Sequence, residues 1–305
     1  MHATTNQLLS SLLTSDDLLH YNHSYQRVRK LCAQGELHKI RQGVFMPTSI
    51  WRSLKPWDRQ LARILAWSKV DSDAIFSHTS AAQLIGLAVP HASNLIHVYA
   101  ANSSRSHAQV IPKHYLLTPE TQLHTVDTYL TTTSPLTTVL DCAQTLPLAD
   151  AVILADSALL HRCVNLTELT ANLRTATGRN CKNMKAVANL ISDKSESLGE
   201  SRTRLLLKEM NLVFEEQVEF VLDGSRYRCD FVPWEYRIIV EFDGKLKLTD
   251  FGASDHVLER ERYRERVLQN AGWVVFRVDW DIVTRRPRDF KRQLTRLLHQ
   301  RVPTF

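Results

Sequence analysis

The sequence predicts an α/β chain of more than one domain, with a small helical unit and hairpin in front, a mixed α/β segment in the middle and an αβββαβα unit at the end. Three observations carry this. At 305 residues the chain is longer than one core usually organises, and 44% hydrophobic against 23% charged residues leaves enough apolar material for several cores. Apolar residues recur at helical spacing in some stretches and alternate strictly in others. Over residues 199–305 three alternating runs follow a helical pattern, and a long charged helix, a fourth run and a last helix come after them.

Residues 1–50 read as three short helices and a hairpin. Leu8, Leu9, Leu12 and Leu13 form a helical stripe, and Ser15-Asp16-Asp17 opens a second helix. The third runs from its cap Ser24 to about Ala33, with Gly35 to stop it. Its spacing places Tyr25, Val28 and Cys32 on the buried side and Gln26, Arg29 and Lys30 on the other. From Leu37 to Pro47 apolar and polar residues alternate around the turn pair Gln42-Gly43. These are the parts of a winged helix-turn-helix, in which the last helix enters the major groove of duplex DNA and Lys39 and Arg41 on the wing reach phosphates. A helical cap whose charged side faces only water is the alternative.

Residues 51–175 read as a central α/β domain. Helical patterns cover Asp58 to Trp67 and the run from Ser77 to Gly86, Leu95 to Tyr99 alternates as a strand, and Ser134-Pro135 opens a further helix. Its histidines, His78, His97, His107, His114 and His124, include no pair at metal-ligand spacing. Composition turns polar and basic before Leu198, so residues 176–198 are expected as a linker.

In residues 199–305 the expected elements are a helix capped by Ser197, strands over 218–222, 227–232 and 237–243, a helix over 254–271, a strand over 273–278 and a helix from Pro287. If the second and third strands are antiparallel neighbours joined by a tight connection centred between Glu235 and Tyr236, Asp230 faces Glu241. Facing carboxylates repel, and a divalent cation between them resolves the conflict. Mg2+ or Mn2+ suits such oxygen donors, and a metal held there activates a water beside a phosphate. Glu241 and Asp243 share one strand face, and Lys245 continues the alternation.

Asp230, the run Val240-Glu-Phe-Asp-Gly-Lys245, Arg260-Glu-Arg-Tyr-Arg264 and Ala271-Gly-Trp-Val-Val-Phe-Arg277 resemble a PD-(D/E)XK nuclease domain, in particular the bacterial family related to very-short-patch-repair endonucleases. The resemblance covers roughly residues 190–285. It implies a restriction-endonuclease-like fold and Mg2+-dependent cleavage of DNA phosphodiesters, with Asp230 and Glu241 as metal ligands and Glu200 as the helical acid before them. Ser197-x-x-Glu200 is also a capping box, so Glu200 has two readings. The position of the family's lysine holds Asp243, leaving Lys245 as the nearest lysine, and Lys247 stands where many relatives have histidine. Arg260, Arg262, Arg264 and Arg266 are candidates for phosphate contact, with pairing to Glu259, Glu261 and Glu265 along the helix as the alternative.

The front half, through residues 24–47, Ser77-His-Thr-Ser-Ala-Ala82 and Ser134-Pro-Leu-Thr-Thr-Val-Leu-Asp141, resembles the AbiEi-type antitoxin and regulator domain of abortive-infection systems. This implies DNA or a toxin as ligand. Two functions follow: a DNA endonuclease of phage defence or repair, or an antitoxin-like regulator whose nuclease-shaped domain no longer cuts. A homodimer and a toxin or defence-system partner stay open. A net charge of +6 suits a polyanionic partner. Five scattered cysteines without a C-x-x-C pair predict free thiols, and with no signal-like or membrane-spanning run the expected location is cytoplasmic, with no membrane partner.

Overall fold

The computed structural model describes residues 2–20, 24–90, 95–99, 110–113, 122–127, 129–244 and 255–301. It is a mixed α/β structure with three sheets, and the chain divides into two compact units, Met1–Asn189 and Leu190–Phe305.

In the first unit α1 (His2–Ser10), β1 (Leu13–Thr14), α2 (Ser15–His20) and α3 (Tyr25–Ala33) precede the hairpin of β2 (Leu37–Arg41) and β3 (Val44–Pro47). The three strands form an antiparallel sheet in the order β1-β3-β2. Thr14 and Asp17 cap α2 reciprocally, each side chain accepting the other's backbone N–H at 2.8 and 3.1 Å. Ser24 caps α3 by accepting from the Arg27 N–H, and Gly35 ends it at φ +76°. The buried side of α3 differs from the expected one. Val28 and Leu31 are buried, Val28 packing with Leu18 and Phe45, whereas Tyr25 in the first turn is 66% exposed because it lies beyond that small core.

The chain continues through α4 (Thr48–Ser53), α5 (Pro56–Ser68), β4 (Ile75–Phe76), α6 (His78–Ile85), β5 (Ile96–Tyr99), β6 (Val110–Lys113), β7 (Leu123–Val126) and β8 (Leu130–Thr133). Four helices follow: α7 (Pro135–Thr145), α8 (Leu148–Leu160), α9 (Leu166–Thr175) and α10 (Cys181–Ala188). The five strands are ordered β6-β5-β4-β8-β7, with β4 and β8 parallel at the centre. Beside the small cluster of Leu18, Val28 and Phe45, residues 1–50 share a larger core with the residues that follow. Leu8, Leu12, Val44 and Met46 pack in one cluster with Ile64, Leu65 and Phe76, since a sheet of three short strands buries too little by itself. The expected linker at 176–198 is likewise corrected: α10 lies within it and packs on α7 and α9, burying Met184 and Val187 despite the polar residues around them.

The second unit holds α11 (Leu198–Glu209), β9 (Glu215–Leu222), β10 (Ser225–Val232), β11 (Ile238–Phe242), α12 (Asp255–Asn270), β12 (Val274–Val278), α13 (Trp280–Thr284) and α14 (Pro287–Gln300). The expected order is present with one short helix, α13, added. The sheet runs β12-β11-β10-β9, antiparallel from β9 to β11 and parallel between β11 and β12. Two apolar layers sandwich it. Leu206, Leu207, Phe231, Val240 and Phe290 lie on the side of α11 and α14, and Cys229, Ile239, Val267 and Leu268 on the side of α12. A single 3-10 turn over Trp234–Tyr236, closed by Arg237 at φ +49°, joins β10 to β11 and pairs Phe231 with Val240. That register sets Asp230 opposite Glu241.

All five cysteines are free, with Cys142 and Cys229 buried. Among the described residues no helix is long and apolar enough to cross a membrane.

Candidate functional site

The site of the second unit begins with the approach of α11 to the sheet. Gly199 lets the helix close on β11, for a Cβ there would lie 1.9 Å from the Phe242 ring. The next residue, Glu200, is thereby buried at the third position of the helix. Its carboxylate accepts from the Ser197 hydroxyl and the Glu196 N–H, both at 2.8 Å, and from the Gln217 side-chain amide at 3.0 Å. The Glu200 N–H donates back to Ser197 Oγ at 3.2 Å. The capping geometry is therefore real, and the same carboxylate also acts electrostatically on Asp230.

Gln217 reaches Glu200 through a break in β9. It sits at φ +55° inside the strand, between the paired positions Glu216 and Val218, a conformation that costs a non-glycine residue of the order of 1 kcal/mol. Arg204, fully buried on α11, holds the neighbouring Glu216 with Nε 3.4 Å from its carboxylate and donates to the Leu190 carbonyl.

Asp230 accepts the Phe242 N–H at 2.8 Å. Burial, reinforced by the charges of Glu200 and Glu241, outweighs that hydrogen bond and lifts its carboxyl from 3.8 to about 6. Glu241, only 7% exposed, is forked by Arg264 from α12, whose Nη1 lies 3.0 Å from one carboxylate oxygen while Nη2 donates to the other. Arg277 on β12 stands 3.7 Å away. Arg264 also donates to the Arg228 carbonyl at 2.9 Å and to Glu261 at 2.9 Å, and Arg277 pairs with Glu261 as well. Burial works against the Arg264 charge, but Glu241 more than offsets it, so its pKa stands above the ordinary arginine value. Burial and Glu241 push the neighbouring Cys229 thiol up to about 12, which keeps it neutral.

Glu200, Asp230 and Glu241 therefore converge. Asp243 is half-buried one residue beyond β11, where its N–H donates to the Val278 carbonyl at 2.7 Å. Lys245 and Lys247 lie outside the described residues. Two expectations change. The cation that neutralises Glu241 is Arg264, so this arginine is a counter-ion within the site and not an exposed phosphate contact. The other is Arg41 in the first unit: a register shift between Lys39 and Arg41 turns its guanidinium onto the Trp67 ring, 4.0 Å from the centroid, where burial lowers its pKa. Gln26, Arg29, Lys30, Lys39 and Arg260 are exposed, as their spacing predicts.

No family model, curated protein or solved structure matches this chain.

The donor set can be tested against a metal on the geometry alone. Asp230 and Glu241 are hard oxygen donors of the kind Mg2+ and Mn2+ prefer. Among the described residues no group of three His, Cys, Asp or Glu side chains is arranged to hold an ion. Glu200 has three donors already, and Glu241 has both oxygens on Arg264. The acids suit a divalent ion chemically, on condition that Arg264 releases Glu241. Sequence reasoning missed Gln217 and Arg204, which no local motif marks, and gave Arg277 no role of its own, because each acts through a residue distant in sequence.

Proposed function

We propose that this chain is a metal-dependent DNA endonuclease whose Leu190–Phe305 unit, a restriction-endonuclease-like domain, carries the cutting site. The observation that carries this reading is the facing pair of half-buried Asp230 and buried Glu241 at the centre of a mixed sheet, with buried Glu200 beside it. Burying like charges together is destabilising, and such an arrangement is characteristic of sites that work on a cation. Asp230 and Glu241 would hold Mg2+ or Mn2+, which when bound polarises the phosphate and lowers the pKa of a water. Gln217 and Ser197 fix the Glu200 carboxylate, and Phe242 orients Asp230 through its N–H. Arg264 holds the Glu241 carboxylate in place until substrate or ion competes for it.

In the first unit, Gln26, Arg29 and Lys30 on α3 and Lys39 on the hairpin form the exposed face of a winged helix-turn-helix that engages duplex DNA. Phage defence or repair is the setting this combination fits, and a homodimer or a toxin partner is compatible with it. The bidentate Arg264–Glu241 pair favours a second reading, an antitoxin-like regulator in which the arginine has permanently replaced the ion.

Plasmid cleavage with Mg2+ or Mn2+ separates the two. Wild type is expected to cut, and Asp230→Ala and Glu241→Ala to lose the activity. Cleavage surviving both substitutions removes the assignment, and a wild type inert on duplex, single-stranded and RNA substrates favours the regulator.

A further inference from the structure

We propose that the cleft between the start of β10 and the outer face of α12 seats a single nucleic-acid strand, with an unpaired base stacked on Tyr263. The inference deepens the nuclease reading and rests on it for the identity of the polyanion.

Two carboxylates of α12 are used inward: Glu261 pairs with Arg264 and Arg277, and Glu265 lies 3.7 Å from Arg277. Among the described residues the helix-surface pairing expected from the alternating charges is absent for the other arginines of the helix. Arg260, Arg262 and Arg266 are exposed, and among the described residues no carboxylate is within ion-pair distance of any of them. Facing them are Arg226 and Arg228 of β10, whose ion pairs with Glu219 and Glu196 are at the surface and so contribute little that a phosphate could not replace. These five arginines line one cleft of about 1040 Å3, with Glu259 and Glu261 as its acids.

One feature selects a strand over a duplex. Tyr263 lines the same cleft, 53% exposed, with Arg260 and Arg266 one turn to either side on its helix face. An exposed aromatic ring among arginines is the chemistry by which unpaired bases are stacked while the backbone is neutralised. Arg264 lines the cleft and bonds Glu241, so one residue separates the cleft from the acid pair.

The test uses the full chain without divalent ions. Fluorescence anisotropy compares a short single-stranded oligonucleotide with a duplex of the same length across a salt series. Replacing Arg260, Arg262 and Arg266 together by glutamine is expected to weaken strand binding roughly tenfold or more and to reduce the salt slope by about 2, the value for three lost phosphate contacts on a single strand. A charge-matched control, Arg288→Gln with Arg292→Gln and Arg296→Gln on α14, keeps most of the affinity. A strand carrying 5-iodouracil is expected to crosslink to Tyr263 on irradiation, and Tyr263→Ala to lose the crosslink. Equal binding by the triple variant and its control overturns the proposal, as does crosslinking confined to residues outside the cleft, or duplex binding through the same arginines that exceeds strand binding. A chain that binds strands here yet never cuts sinks the nuclease reading alone, and a chain that cuts while the cleft variants bind normally sinks the cleft alone.

Discussion

Asp230→Asn is expected to make the metal-free protein more stable at mildly alkaline pH, at the expense of any activity. In the folded chain burial, then Glu200 and Glu241, raise the Asp230 carboxyl from 3.8 to about 6 against the opposing Phe242 N–H and Arg264. Near pH 8 the group is ionised in both folded and unfolded chains, and a rise of about two units at about 1.4 kcal/mol each destabilises the fold by roughly 3 kcal/mol. Well below 3.8 both states are protonated and the penalty is absent. Between these limits the folded chain binds more protons than the unfolded one, so this group lowers stability as pH rises through the window from 3.8 to about 6. Asparagine carries no charge to desolvate and keeps a carbonyl oxygen for the Phe242 N–H. The variant should gain about 2–3 kcal/mol near pH 8 in EDTA and almost nothing below the window. Urea unfolding read by hydrogen exchange in peptides from β10 and β11 measures this in the second unit. An asparagine variant no more stable than wild type near pH 8, or an advantage that persists undiminished at acid pH, refutes the desolvated-carboxylate argument.

Arg264→Gln leaves Glu241 buried without its fork, with only Arg277 nearby, and should destabilise the second unit by about 3 kcal/mol. If Asp230 and Glu241 form an ion site, Mn2+ should raise the melting temperature of that variant more than that of wild type; equal shifts in calorimetry count against it. Gly199→Ala drives a methyl into the Phe242 ring and should cost about 1–3 kcal/mol with some displacement of Glu200, measurable as a lower urea midpoint. Arg29→Gln with Lys30→Gln should reduce the salt slope of duplex binding by about 2, whereas Arg41→Gln should leave it unchanged and instead lose about 1 kcal/mol of packing on Trp67. Anisotropy titrations and thermal melts distinguish these last two outcomes.

The sequence by itself determined whatever depends on neighbours along the chain. Ser24, Ser134 and Ser197 marked helix starts because a cap and the N–H it accepts are three residues apart, and each accepts that bond in the structure. The facing of Asp230 and Glu241 was also legible once the connection was centred between Glu235 and Tyr236, a register with which the Phe231–Val240 pairing agrees. Tertiary structure decided the rest. Glu241 finds its counter-ion on a helix more than twenty residues away, Glu200 on its helix is steadied by a glutamine of β9, and Arg41 turns inward at a bulge that composition does not announce. Periodicity states which side of an element faces in, but not what waits there. For a buried charge that partner decides everything, because desolvation must be offset by one particular group brought close by the fold.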